Sequence, residues 1–442
     1  MKRIQTLWCA VLAAAVVAAG CGGTSIEVAR EEARSVNRPE EVRVSAESDA
    51  AEPAIATGPD GSVYVAYVEH AGKGATDVFL QKYGTDLNPA GPRVRVSPDG
   101  TAKTWKGDPP TVAAAPDGTV FVGWTRATAS GKGTDLMVSA SRDGGLSFEA
   151  PVKVNDDTEP ASHGMHSIAV GADGRIYVAW LDERNVKMPA HDSVSAGDVQ
   201  APVRLPAGFE AVHAHHDDKK KSTPTPKPEP AEPNSEVFFS YSTDGGETFS
   251  ANKKIANDVC PCCKTSMLAA PDGKLYLSWR QVLPGDLRHI AVASTEDKGE
   301  TFSERSIVSD DQWRLHACPV SGAALSYAEG GRLTVTWYTA GDAGQAGVYS
   351  AESADGGRSF GPRRLVSFDA GAGTPIAFAG SQACMFTTND SEIVVAGESG
   401  TAGRIPNAAL PAAASDGGRI ITAFVRPEGK ERSVWLAVLP HS

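Results

Sequence analysis

The chain has 442 residues, 41% of them hydrophobic and 22% charged, and its 45 glycines and 29 prolines point to many turns rather than long helices. A formal net charge of -12 excludes a nucleic-acid partner, because phosphate binding needs a concentrated basic surface and no stripe of Lys and Arg is present. Length does not fix the number of domains, since repeated sheets can form one unit well beyond the usual domain size.

At the N-terminus, Lys2 and Arg3 precede an apolar run from Leu7 to Ala19 that is too short to cross a bilayer comfortably and reads as an export signal. The run closes in Ala18-Ala19-Gly20-Cys21, which resembles the lipobox of bacterial lipoproteins, with Ala18 where Leu is usual. The resemblance implies that residues 1–20 are a signal peptide and that Cys21 carries lipid. The mature protein is then held at a membrane of the bacterial cell envelope, facing periplasm or exterior. A generic secretory signal that merely contains a cysteine is the alternative. Residues 21–40 read as a flexible tether and 41–442 as the body, in which no second apolar run is long enough to span a bilayer.

One unit recurs along the body, and repeats of this length mark arrays of sheets. Each copy opens with a small-residue apolar strand, turns at a Gly-containing pair, and continues as a strand ending in an aromatic residue. The turns are Pro59-Asp60-Gly61, Pro116-Asp117-Gly118, Ala172-Asp173-Gly174, Pro271-Asp272-Gly273, Glu329-Gly330-Gly331 and Asp416-Gly417-Gly418. Asp-Gly between such strands is a hairpin signal, because Gly accepts the positive φ that the turn demands. A second hairpin carries a sharper pattern, Ser141-x-Asp143-x-Gly145-x-Ser147-Phe148, repeated from Ser242, Thr295 and Ser353. This pattern resembles the Asp box, or BNR repeat, of sialidase-like propellers. The resemblance implies an all-β fold, a six-bladed β-propeller of four-stranded antiparallel blades. Val42-Arg43-Val44-Ser45 matches the outer strand that the last copy lacks, so the N-terminal strand is expected to close the ring.

In an up-and-down blade the first-to-second and third-to-fourth turns share one face, which gathers the Asp boxes. The opposite face, where sialidase-like folds bind substrate, takes the segments in which this chain departs from its own repeat. These are His163-Gly164-Met165-His166, Cys260-Pro261-Cys262-Cys263 with Met267, His316-Ala317-Cys318-Pro319, and Cys384-Met385 in the long connection before the last blade. Thiols, imidazoles and thioethers are the soft ligand set that suits copper(I), with zinc an option if the thioethers stay out of the first shell. A Pro-rich insertion at about 186–235 is expected to emerge on the same face as an extended, disordered loop. It adds Met188, His191, His213, His215, His216, Asp217 and Asp218, a metal-attracting tract or a solvated polar loop.

Three readings of this face stay open. The compartments that receive exported proteins oxidise free thiols, so the five cysteines beyond Cys9 and Cys21 can form two structural disulfides that brace the channel mouth. They can instead hold copper or zinc, or do redox chemistry; Cys-x-x-Cys spans Cys260 and Cys263. The fold resemblance also implies a sialidase-type glycoside hydrolase, for which Tyr338 with Glu183 and the arginines Arg184, Arg280 and Arg404 are the candidates, Arg404-Ile405-Pro406 being similar to the family's Arg-Ile-Pro. That motif sits in the last blade rather than the first, so the match needs a circular permutation. A non-catalytic propeller that binds a glycan or protein is the remaining alternative, and a monomer is expected throughout.

Overall fold

The runs read as strands are rich in Val, Ile and aromatic residues, and in a computed structural model of the chain they are buried on both faces, as Val63 to Val68 are throughout. The structure describes residues 41–46, 49–71, 75–98, 100–186, 234–315, 319–328, 330–378, 384–388, 391–397, 400–415 and 419–440. Every regular element among them is a strand.

A short β1 (Glu41–Arg43) comes first, followed by a sheet of β2 (Ala50–Thr57), β3 (Val63–Ala71), β4 (Ala75–Tyr83) and β5 (Val94–Arg95). The next sheet is β6 (Thr111–Ala114), β7 (Val120–Ala127), β8 (Thr134–Ser141) and β9 (Val152–Lys153). Then come β10 (His163–Val170), β11 (Ile176–Asp182), β12 (Ser235–Ser242) and β13 (Lys253–Val259), followed by β14 (Ser266–Ala269), β15 (Leu275–Leu283), β16 (Leu287–Thr295) and β17 (Ser306–Ile307). These two groups of four form one eight-stranded sheet through a single pairing, Val259 with Gln281. Further sheets are β18 (Ala323–Ala328), β19 (Arg332–Thr339), β20 (Gly347–Ser353), β21 (Arg364–Ser367), and β22 (Ile376–Ala377), β23 (Cys384–Thr387), β24 (Ile393–Gly397), β25 (Gly400–Ile405). The last sheet holds β26 (Ala409–Ser415), β27 (Arg419–Glu428) and β28 (Glu431–Pro440), with β1 on the outer edge of β28. All strand pairs are antiparallel and join consecutive strands except β13 with β15 and β1 with β28, where Glu41 faces Ala437 and Arg43 faces Trp435.

Six copies of the repeat therefore undercount the strands. The stretch read as a long connection before the last copy is itself the sheet β22–β25. It escapes a repeat search because its strands are two to six residues long. Its central hairpin also turns through Ser391, at φ 57°, rather than through Asp-Gly.

Apolar clusters lie between successive sheets. Trp124 packs with Tyr64 and Leu80 of the preceding sheet, Trp180 with Phe121 and Val138, Trp279 with Phe239, and Trp337 with Tyr276. One more cluster joins the last sheet to the first, packing Ile421, Val425 and Leu436 against Val63, Val65 and Tyr67, with Val44 beside them. Three of these indoles place their N–H on a strong acceptor: Asp182 Oδ2 at 2.7 Å for Trp180, Gln281 Oε1 at 2.8 Å for Trp279, and Asp311 Oδ2 at 2.7 Å for Trp337.

The four motifs read as Asp boxes share one geometry. Asp143 Oδ1 accepts the backbone N–H groups of Leu146 and Ser147 at 3.0 and 2.9 Å, and Oδ2 accepts the Ser147 hydroxyl at 2.5 Å. Ser141 Oγ donates to Asp143 and accepts from Gly145 N at 2.7 Å, with Gly145 at φ 89°. Asp244, Asp297 and Asp355 repeat the arrangement, which makes each motif a self-contained turn.

Candidate functional site

The connection between β13 and β14 carries Cys260-Pro261-Cys262-Cys263, and it is held tightly. Cys260 N donates to Arg280 O at 2.9 Å, and Cys263 N returns to Cys260 O at 3.4 Å, so the segment coils into a turn with its sulfurs together. The three Sγ atoms lie within 4.8 Å of one another, all buried. Cys260 Sγ is 3.4 Å from Cys263 Sγ and 3.7 Å from Cys262 Sγ. Cys260 and Cys263 are free thiols, whereas Cys262 has a partner of its own. Met165 belongs to the same apolar cluster as the three cysteines.

The electrostatics separate the two free thiols. The hydrogen bond between the Cys260 and Cys263 sulfurs, with the guanidinium groups of Arg288 and Arg280 nearby, brings the Cys260 thiol down to about 6 against the cost of burial. Burial, and the same hydrogen bond, drive Cys263 the other way, well above the ordinary thiol range. The two free thiols are thus pushed in opposite directions, with two arginines beside Cys260.

Arg280 deserves its own account because it is fully buried in the middle of a strand. Its Nε donates to Ser321 O at 2.9 Å, Nη1 to Arg288 O at 3.3 Å and Nη2 to Tyr338 O at 3.0 Å, and its guanidinium stacks 4.8 Å over the Trp313 ring. The side chain thus ties β15 to β16, β19 and the approach to β18, and its donors are used by protein.

The other residues singled out from sequence separate into distinct places. His163 sits at the start of β10 with Nδ1–H on Thr134 O, while its Nε2, buried without a hydrogen-bond partner among the described residues, faces Asp157 Oδ1 and Asp182 Oδ2 at 3.3 and 3.4 Å. Met165 has φ 53°, where β10 bulges, and its carbonyl accepts Thr265 N and Oγ1 at 3.0 and 2.9 Å. His166 lies against Asp108, Nδ1 to Oδ1 at 3.1 Å, and its Nε2 is buried without a partner among the described residues. That nitrogen borders the space where Gly123 lacks a side chain: a Cβ there would stand 3.3 Å from Nε2 and 2.8 Å from Thr111 Oγ1. Cys384 and Met385 are on β23, in clusters apart from the three cysteines; burial pushes the Cys384 thiol up to about 12, and Met385 Sδ accepts the Thr422 hydroxyl at 3.6 Å. His316, Cys318, Cys21 and the tract from Met188 to Asp218 lie outside the described residues.

Of the five residues considered for glycoside hydrolysis, Arg280 and Tyr338 meet, through Tyr338 O and on the Trp313 ring, and the other three have partners of their own. Arg184 is spent on Asp182, which it meets through Nε at 3.0 Å and Nη2 at 2.9 Å, and on Asp156 at 2.5 Å. Arg404 is on β25, the far edge of its sheet from β22, where it pairs with Glu392 at 2.5 Å. Glu183 accepts the Ser235 hydroxyl at 3.4 Å, and Tyr338 packs edge-on to Trp313, its hydroxyl raised by burial.

Two charged residues of this region were not read from sequence. Asp108 is buried; burial would raise its carboxyl, but His166, Lys264 and the Thr125 hydroxyl outweigh it and hold the carboxyl below its usual range. Burial brings the Lys264 amine down to about 8, against the pull of Asp108. The available signals were a charge directly before Pro109-Pro110 and another directly after Cys263.

No protein family matches the chain, and no curated protein matches it by sequence. Solved structures do. An ulvan lyase of polysaccharide lyase family PL25 aligns over 90% of this chain and 96% of its own at 13% identity, with a TM-score of 0.52. The NanB sialidase from Streptococcus pneumoniae aligns over 86% and 83% at 12% identity and a TM-score of 0.46. The intramolecular trans-sialidase from Ruminococcus gnavus aligns over 77% and 97% at 12% identity and a TM-score of 0.47. At these identities the lyase alignment, which spans nearly the whole of both chains, establishes a likeness of fold.

Proposed function

We propose that the body is a propeller of seven blades, fastened by β1, that binds copper(I) at the buried cysteine turn on the face opposite the Asp boxes. The blade count rests on the seven groups of four strands, and the closure on the cluster that packs last sheet against first. The observation that carries the function is the trio of sulfurs within 4.8 Å. Cys260 and Cys263 supply the thiolates and Met165 a nearby thioether, while Cys262 has a partner of its own. A soft donor set of low coordination number suits a monovalent soft ion; zinc wants four ligands, and among the described residues no imidazole or carboxylate completes the trio. Two arginines beside the site balance the charge of a bis-thiolate complex. Lipid on Cys21 would keep this site at an envelope membrane.

The test is competition of the reduced full-length chain against a chromophoric copper(I) chelator. About one equivalent of copper(I) should be withdrawn, and Cys260→Ser should abolish it. Uptake below about half an equivalent by the wild-type chain, or full uptake by the variant, would overturn the reading.

A further inference from the structure

We propose that Cys260 and Cys263 are also a peroxide-sensing dithiol, oxidised by hydrogen peroxide to a reversible disulfide that closes the metal site. The inference builds on the metal reading, since it gives that site its regulation, but its chemistry needs no metal. Four observations support it. The sulfurs are 3.4 Å apart across a Cys-x-x-Cys turn, so they can join with little backbone movement. Arg288, tied to Arg280 through its carbonyl, has its Nε buried with no hydrogen-bond partner among the described residues, leaving a donor for a departing anion. Both sulfurs are fully buried, which shuts out a protein disulfide. The third free thiol, Cys384, is buried in a different cluster and serves as an internal control.

The chemistry balances as follows. The Cys260 thiolate attacks one peroxide oxygen; an S–O bond forms, the O–O bond breaks, and hydroxide leaves and becomes water on gaining a proton. The Cys263 sulfur then attacks the Cys260 sulfur, displacing hydroxide that departs with the Cys263 proton as a second water. The dithiol loses two electrons and two hydrogens, and the peroxide is reduced to two waters. An external thiol reverses the step by exchange.

The experiment treats the reduced, metal-free full-length chain with one equivalent of hydrogen peroxide and follows each cysteine by alkylation and peptide mass. Cys260 and Cys263 should lose their reactivity together, at least about tenfold faster than Cys384, with a mass lower by two hydrogens that dithiothreitol restores. In Cys263→Ser, dimedone should trap a sulfenic acid on Cys260. Oxidation of Cys260 to sulfinic acid without linkage in the wild-type chain, or equal rates at Cys260 and Cys384, would overturn the proposal; if Cys263→Ser does not fold, this wild-type comparison decides. Copper(I) uptake measured separately on reduced and oxidised chain keeps the two readings apart. Linkage without uptake by the reduced chain sinks only the metal reading, and uptake without linkage sinks only this one.

Discussion

Arg280→Met is the most informative perturbation, because one side chain both builds the site and holds three strands together. The variant leaves Ser321 O, Arg288 O and Tyr338 O without their donor and removes the stack on Trp313. Each hydrogen bond from a charged donor contributes about 1.5–3 kcal/mol, and an arginine over an indole about 0.5–2 kcal/mol. Carbonyls on adjoining strands relax together, and Met no longer bears the cost of burying a cation, so the sum is not reached. We expect a loss of about 3 kcal/mol, below the ~5 kcal/mol that the low ends would give together, read as a lower urea midpoint at unchanged slope. Arg280→Lys keeps the charge but not the fork and should fall between the two. Alkylation of Cys260 should slow in Arg280→Met and persist in Arg280→Lys, since only the charge matters to the sulfur. A loss below about 1 kcal/mol in Arg280→Met would refute the reasoning, because the three carbonyls would then have found other donors.

Acid stability offers a second check. Hydrogen bonds from Ser147 and Thr248 hold the carboxyls of Asp143 and Asp244 down to about 2, below the unfolded value, so their stabilisation is complete above that unfolded value and is lost as pH falls through about 2. Melting temperature between about pH 5 and pH 2 should fall less steeply in Asp143→Asn/Asp244→Asn than in the wild-type chain, and parallel curves would contradict this. Val44→Asp places a carboxylate in the cluster between the last and first sheets and should cost about 2–4 kcal/mol in urea unfolding. An unchanged midpoint would mean that this segment does not seat there.

Much of the fold was legible because its strands announce themselves through turns. Gly61, Gly118, Gly174 and Gly273 all take positive φ where Asp-Gly demands it, and the Asp-box network is local to seven or eight residues. β22–β25 was not legible, since short strands joined by a non-glycine turn leave no periodic trace. The match of Val42–Ser45 to a missing outer strand was correct in register terms, with Val44 N on Val434 O at 2.8 Å. At the site, the spacing of Cys260, Cys262 and Cys263 was enough to bring them together, because the turn is local. His163, His166 and Cys384 look equivalent in sequence but meet different neighbours, since partners such as Thr134, Asp108 and Val348 arrive from other strands. Arg280 was read as a candidate for a glycoside-hydrolase site; only its acceptors, 8 to 58 residues away, reveal a structural bolt.

The union of β1 with β28 has a bearing on how the chain is made. Strand β1 is seated beside β28, across a loop of nearly the whole body. Closing so long a loop is entropically slow, so until the β27–β28 hairpin forms β1 has no lodging and the outer edge it will cover stays open to rival strands. A chaperone that shields unpaired edges would matter more to this architecture than one that catalyses any local step.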